Sequence, residues 1–263
     1  MCGRVVQASD PLRFAFVDGL DVPDSRAKLP SYNVAPSQLL YVIRENHETG
    51  QRTLELLRWG LIPHGCKDPE NGRKPIDACG ESVARLPTFR AAYAKRRCIV
   101  PVDCFFEWRA NKGARAKQPF AVAMQDRAPF AIDGLWENCR HPQSGEWIRT
   151  VAIITVPSNE LVAQIHDRMP LILPKAACER WLGEEIDPHD LLVPFPAELM
   201  AIWPVSTRVN KPENDDALLL VWPRTLPRAR QAVRAALCRL QSPFASRASC
   251  GLGQLQRAFV SAA

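Results

Sequence analysis

The sequence predicts a strand-rich α+β fold, with a mixed or antiparallel sheet curled toward a barrel and a few flanking helices. Three observations carry this expectation. Short β-branched and aromatic runs bounded by Pro, Gly and Asp recur along the chain. Helical patterns are few, and strands and helices do not alternate in the βαβ rhythm of a parallel sheet.

In chain order, strand-like runs cover 4–7, 39–44, 53–58, 98–108, 120–124, 130–136 and 148–156. Helical patterns cover 11–17, 88–95 with Thr88 as a cap, 159–165 and 175–182. Stretches 64–75 and 109–118, rich in Gly, Pro or basic residues, read as surface loops.

With 263 residues and 46% apolar content the chain can bury a sizeable core. It has no stretch of about 18 apolar residues, which argues against a membrane span. The start, MCGRVVQ, lacks the basic, apolar and small-residue order of a secretory signal, so a cytoplasmic monomer is expected. Nine Cys without regular spacing read as free thiols in a reducing compartment.

The net charge of +6 sits in the tail. Residues 224–263 hold seven Arg and no acid, which leaves 27 basic against 28 acidic residues over 1–223. Overall basicity therefore says nothing about the body of the protein. Two regions are expected: a catalytic and DNA-binding domain over 1–223 and an Arg-rich, disordered or loosely helical tail over 224–263.

Position 2 is the most specific local feature. Removing Met1 would leave Cys2 with a free α-amine beside its thiol, and an α-amine titrates near 8, about two units below Lys. Two chemistries use that pair: acyl transfer by the thiolate with the amine as base, or aldehyde capture, in which the amine forms an imine and the thiol closes a thiazolidine. A chance Cys is the bland alternative. His166, with Asp167 and Arg168 beside it, interrupts an apolar run and is a candidate for proton transfer, or else a hydrogen-bonded structural residue. Glu107 ends a strongly apolar strand, where burial would make it a general acid; the alternative is a strand-end Glu facing water.

Six ordered blocks unite these residues: Met1-Cys2-Gly3-Arg4, Tyr32-Asn33-Val34-Ala35-Pro36, Arg58-Trp59-Gly60-Leu61-Ile62-Pro63, Arg97-Cys98-Ile99-Val100-Pro101, Phe106-Glu107-Trp108 and Ile165-His166-Asp167-Arg168-Met169-Pro170. Together they resemble the SOS response-associated peptidase (SRAP) family, from Met1 to about Leu220. The resemblance implies a sensor of abasic sites in single-stranded DNA that crosslinks to them through a thiazolidine at Cys2, after Met1 is lost by self-cleavage. It implies that Glu107 shuttles the proton that opens the sugar and that His166 assists ring opening and imine formation. Arg4, Thr155, Arg168 and Trp59 would contact the DNA. No cofactor and no metal is implied. An abasic nucleotide in a single strand needs no unpairing before it enters a pocket.

Four positions depart from the pattern the resemblance implies. Asp77 and Cys79 stand where an Asn that holds the lesion sugar and an Arg that contacts phosphate are expected. Gly65 replaces a stacking Trp, and Cys104 replaces a Gly whose loss would strain the strand if that position needs a positive φ. These departures predict a weakened crosslinker.

Two other readings use the same residues. A glutamine amidotransferase-like hydrolase also begins with Met-Cys-Gly and uses Cys2 on an amide, and a non-catalytic DNA-binding module would rely on the Arg-rich tail. A metal site is disfavoured, since His64 with Cys66 is the nearest approach to ligand spacing.

Overall fold

The structure is a computed structural model describing residues 2–14, 16–22, 30–46, 48–110, 113 and 116–221. They belong to the compact unit Met1–Pro223. The tail expected over 224–263 lies outside the described residues.

Among the described residues fourteen strands carry the fold: β1 (Val5–Gln7), β2 (Leu20–Asp21), β3 (Ser31–Val34), β4 (Leu39–Glu45), β5 (Arg52–Trp59), β6 (Asp77–Cys79), β7 (Arg97–Val102), β8 (Cys104–Arg109), β9 (Gln118–Met124), β10 (Phe130–Arg140), β11 (Trp147–Pro157), β12 (Arg168–Pro170), β13 (Ile172–Leu173) and β14 (Met200–Pro204). The helices are short: α1 (Gly80–Val83), α2 (Arg90–Lys95) and α3 (Lys175–Leu182). The strand-rich α+β expectation holds.

Strands β11, β10, β7, β4 and β5 pair in succession, all antiparallel. β5 then returns to β11 in parallel register, Thr150 opposite Arg58 and Val151 opposite Trp59, which closes a five-stranded barrel. The curled, mixed sheet expected from the sequence is this barrel. A second sheet, β14-β9-β8-β1-β3, is antiparallel throughout.

The run expected as one strand over 98–108 is two strands, and Asp103 explains the break. Its carboxylate accepts from the backbone N–H groups of Ala8 at 2.7 Å and Ser9 at 2.9 Å, which anchors the corner where the chain leaves the barrel for the second sheet. Two helical patterns shrink to single 3-10 turns, Pro11–Phe14 and Val162–Gln164. Thr88 does not cap α2, because Phe89 occupies that position with no side-chain cap.

Alternation along β8 divides its side chains between two apolar layers. Phe105 packs in the main core with Trp59, Leu57 and Ile99, whereas Cys104 and Phe106 pack with Val6, Ala121 and Trp203. Each large side chain buried in this way contributes roughly 1.5–3 kcal/mol. Glu107 follows Phe105 by two residues and so shares its inward face, which accounts for its burial at 2% exposure.

Candidate active site

β1 and β8 run antiparallel with Val5 opposite Phe105, and the Phe106 N–H donates to the Arg4 carbonyl at 2.9 Å. Continuing that register by two residues sets Gly3 opposite Glu107. The chain start is thereby drawn to Glu107, and Cys2 is 0% exposed.

β11 supplies the other half of the site. Past its barrel pairing, its C-terminal end is flanked by β6 on one edge and β12 on the other. Thr155 is opposite Cys79 on β6 and Pro170 on β12. This end of β11 therefore gathers Asp77 from β6 and Arg168 from β12.

Charge links the two halves. Burial pushes the Cys2 thiol well above its ordinary range, and the carboxyls of Glu107 and Asp77 push it further. Burial also raises Glu107, against the opposing charge of His166. Asp77 is pushed up to about 7 by burial, opposed by the charge of the amino terminus, reinforced by Glu107 and opposed further by Arg168. Three predicted residues, Cys2, Glu107 and Asp77, thus act on one another, and His166 acts on Glu107.

The His166 ring is held by its own turn. Its Nδ1 lies 3.0 Å from the Arg168 backbone nitrogen and 3.2 Å from the Arg168 carbonyl oxygen. Nδ1 also lies 3.0 Å from the Asp167 carboxylate, so protonation of the ring converts that contact to an ion pair.

The expected DNA contacts divide. Arg168 turns both terminal nitrogens to the Glu81 carboxylate and donates to the Thr155 carbonyl at 2.6 Å. Arg4 donates to Asn33 Oδ1 at 2.9 Å and to the Val209 carbonyl at 2.7 Å, with its guanidinium 5.9 Å from the Trp108 ring centre. Thr155 is 1% exposed and its hydroxyl accepts from Arg168 at 3.3 Å, so it positions that arginine. Trp59 requires a correction. It is 1% exposed and its indole N–H donates to the Ile76 carbonyl at 3.1 Å. It is a core side chain beneath β6 that has no free face for a base.

A cavity of about 770 Å³ opens beside Asp77, lined also by Pro63, Gly65, Cys66, Arg73, Pro75, Leu86, Thr88 and Phe89. Three of the four sequence departures bear on this region. Asp77 and Gly65 line the cavity, and a Cβ at Gly65 would meet nothing within 4 Å. Cys79 is exposed at the end of β6. The fourth expectation, strain at Cys104, is overturned. Among the described residues only Ser37 and Arg127 are non-glycines with positive φ, and Cys104 is ordinary strand backbone paired with Val6.

Sequence reasoning missed Arg73, which lay in a stretch read only as a surface loop. It also missed Trp147, 55% exposed and nearly parallel to His64 with ring centres 6.5 Å apart. Glu81 was not read as the partner of Arg168, since 87 positions separate them and neither carries a local signal of the other. Among the described residues, no group of three His, Cys, Asp or Glu side chains could hold a metal ion, and no helix is long and apolar enough to cross a membrane. A second cavity, about 510 Å³ between Phe16, Phe130 and Leu199, contains none of these site residues.

Known proteins resemble this chain over most of its length. The chain is 38% identical over 229 residues to the abasic site processing protein YoaM of Bacillus subtilis, covering 84% of this chain and 97% of YoaM. It is 29% identical over 222 residues to the abasic site processing protein HMCES of Xenopus tropicalis, covering 73% of this chain and 66% of that protein. A crystal structure of a protein from Bacteroides thetaiotaomicron superimposes with a TM-score of 0.75 at 25% identity, covering 84% of this chain and all of the other. The SOS response associated peptidase (SRAP) family model matches residues 1–212, and the chain belongs to that family.

Proposed function

We propose that this protein processes abasic sites in single-stranded DNA by forming a covalent thiazolidine through Cys2. Its relatives named for abasic site processing support the broad role. The observation that carries the chemistry is the set of charges around Cys2: two buried carboxyls, Glu107 and Asp77, act on a thiol that burial already keeps protonated.

A protonated thiol suits aldehyde capture better than amide attack. An acyl-transfer nucleophile needs its thiolate, and here burial and both carboxyls disfavour it. In aldehyde capture the amine acts first. Once Met1 is removed, the Cys2 nitrogen adds to the C1 aldehyde of the opened deoxyribose, and loss of one water gives the imine. The thiol then adds across the C=N bond, forming the C–S bond and moving its proton to nitrogen.

In this reading Glu107 gives a proton to the ring oxygen as the sugar opens and accepts one as the imine forms. Burial raises its affinity for protons, which favours the protonated form that delivers one. His166, whose charge acts on Glu107, assists that exchange. Met1 removal by the same site would account for the peptidase name of the family.

The test is the intact mass of the full chain after incubation with an oligonucleotide carrying one abasic site. The expected product has lost Met1 and gained the oligonucleotide less one water. Cys2→Ala should give none of it. An adduct of undiminished yield from that variant would overturn the proposal.

A further inference from the structure

We infer that Asp77 acts as a neutral carboxylic acid that donates a hydrogen bond to the trapped sugar, so that this single contact makes capture pH-dependent. The inference rests on the function proposed above and assigns a protonation state within that site.

The geometry carries it. Both carboxyl oxygens of Asp77 are shielded from solvent, and neither has a hydrogen-bond partner among the described residues. A buried carboxylate without donors is strongly disfavoured, whereas a protonated one carries no charge to solvate. Asp77 also lines the cavity of about 770 Å³, so its shielded carboxyl stands next to the space a ligand would enter.

The charged neighbours act in both directions. Glu107 on β8 disfavours a second negative charge at Asp77. Two cations oppose this, the amino terminus of the chain first and then Arg168 on β12, which turns its terminal nitrogens to Glu81 and Thr155. Cys79 extends along the same strand, and Arg73 and Cys66 line the cavity from the 64–75 loop. No described donor is committed to an Asp77 carboxylate.

A protonated carboxyl offers one O–H donor and one carbonyl acceptor on the same planar frame as a side-chain amide. It can therefore do the work of the Asn that the family resemblance leads one to expect here. The difference is that the donor of an amide does not titrate in the neutral range. The weakened crosslinker expected from the sequence becomes a conditional one, competent while Asp77 holds its proton. Because burial places that titration at about 7, the change falls within the neutral range.

The experiment compares the full chain with Asp77→Asn on fluorescent single-stranded DNA containing one abasic site. Single-turnover adduct rates are measured from pH 5.5 to 9 at fixed ionic strength. The ratio of their rates is the readout, and because Asp77 also acts on Cys2 and Glu107 it is read together with the binding arm below, which lacks the Cys2 thiol. The Asn-to-native ratio should be constant below pH 6 and climb toward tenfold per pH unit above 7. A ratio that stays flat across the range overturns the inference.

A second arm does not depend on the covalent step. Cys2→Ala and the Cys2→Ala, Asp77→Asn pair are titrated with single-stranded DNA carrying a tetrahydrofuran abasic analogue, read by fluorescence anisotropy. The affinity of the Asp77 form should fall relative to the Asn form as pH rises through 7, and equal dependence in both would overturn the inference. Absence of any adduct in the first arm refutes the crosslinking proposal, while the second arm still decides the state of Asp77.

Discussion

Arg168 and Glu81 meet fork to fork, with one bond at 2.9 Å and a second between the other pair of terminal atoms. The pair bridges the start of β12 to α1, which follows directly on β6, the strand that opens with Asp77. Each partner is held in its charged form by the other, so Glu81 sits below the ordinary carboxylate range and Arg168 above its usual one. An arginine committed in this way is not available to a phosphate.

Glu81→Gln should release it. The expected outcome is tighter binding of intact single-stranded DNA at low salt, with the slope of log affinity against log salt steeper by about 0.7 for the one phosphate gained. Fluorescence anisotropy over a salt series measures this. An unchanged slope would mean that Arg168 faces no phosphate in the complex.

Glu107→Gln tests the proton shuttle. The amide keeps the shape of the carboxyl but cannot exchange a proton, so adduct formation should slow by about 10²- to 10⁴-fold. Affinity for DNA with a tetrahydrofuran site should change little in the same variant. A loss confined to affinity would make Glu107 a binding residue rather than an acid and base.

Gly65 lines the cavity beside Asp77, and a Cβ there would stand in open space. It is not among the glycines with positive φ, so a larger residue needs no backbone change. Gly65→Trp should supply a face for a flanking base worth about 1–3 kcal/mol, a roughly 5- to 150-fold gain in affinity. The gain should appear on intact and abasic single strands alike. No gain on either would place the DNA path elsewhere.

How far the sequence could be read follows from the range of the forces involved. A carboxylate ending the apolar run 104–108 and the Cys2 start are local patterns, and they led to two of the residues gathered at the site. The closure of the barrel was legible only as a tendency to curl, because the pairing of Thr150 with Arg58 joins segments far apart in the chain. Trp59 was misread for a related reason. Its place in a recognisable block suggested contact with DNA, but whether an aromatic ring faces a ligand or a core depends on the strand beside it, here the Ile76 carbonyl leading into β6. Asp77 follows the same rule, since its identity was visible and its burial against Glu107 was not.

That burial has a thermodynamic consequence separate from catalysis. Asp77 binds its proton more tightly folded, at about 7, than in an unfolded chain, where an aspartate titrates near 4. For a group raised in this way, the stabilising contribution is fully present below the unfolded value and is lost as pH rises through the folded one. Asp77→Asn cannot lose a proton, so its stability advantage over the native chain should grow between pH 4 and 7 and level off above. At about 1.4 kcal/mol for each tenfold change in proton affinity, the ceiling on that advantage is ~4 kcal/mol. Relaxation around the charge lowers it, so a gain of several degrees in Tm at pH 8 is expected. Thermal unfolding of both proteins at pH 5 and pH 8 checks the sign. An Asn variant less stable than the native chain at pH 8 would show that the ionised carboxyl is satisfied in solution.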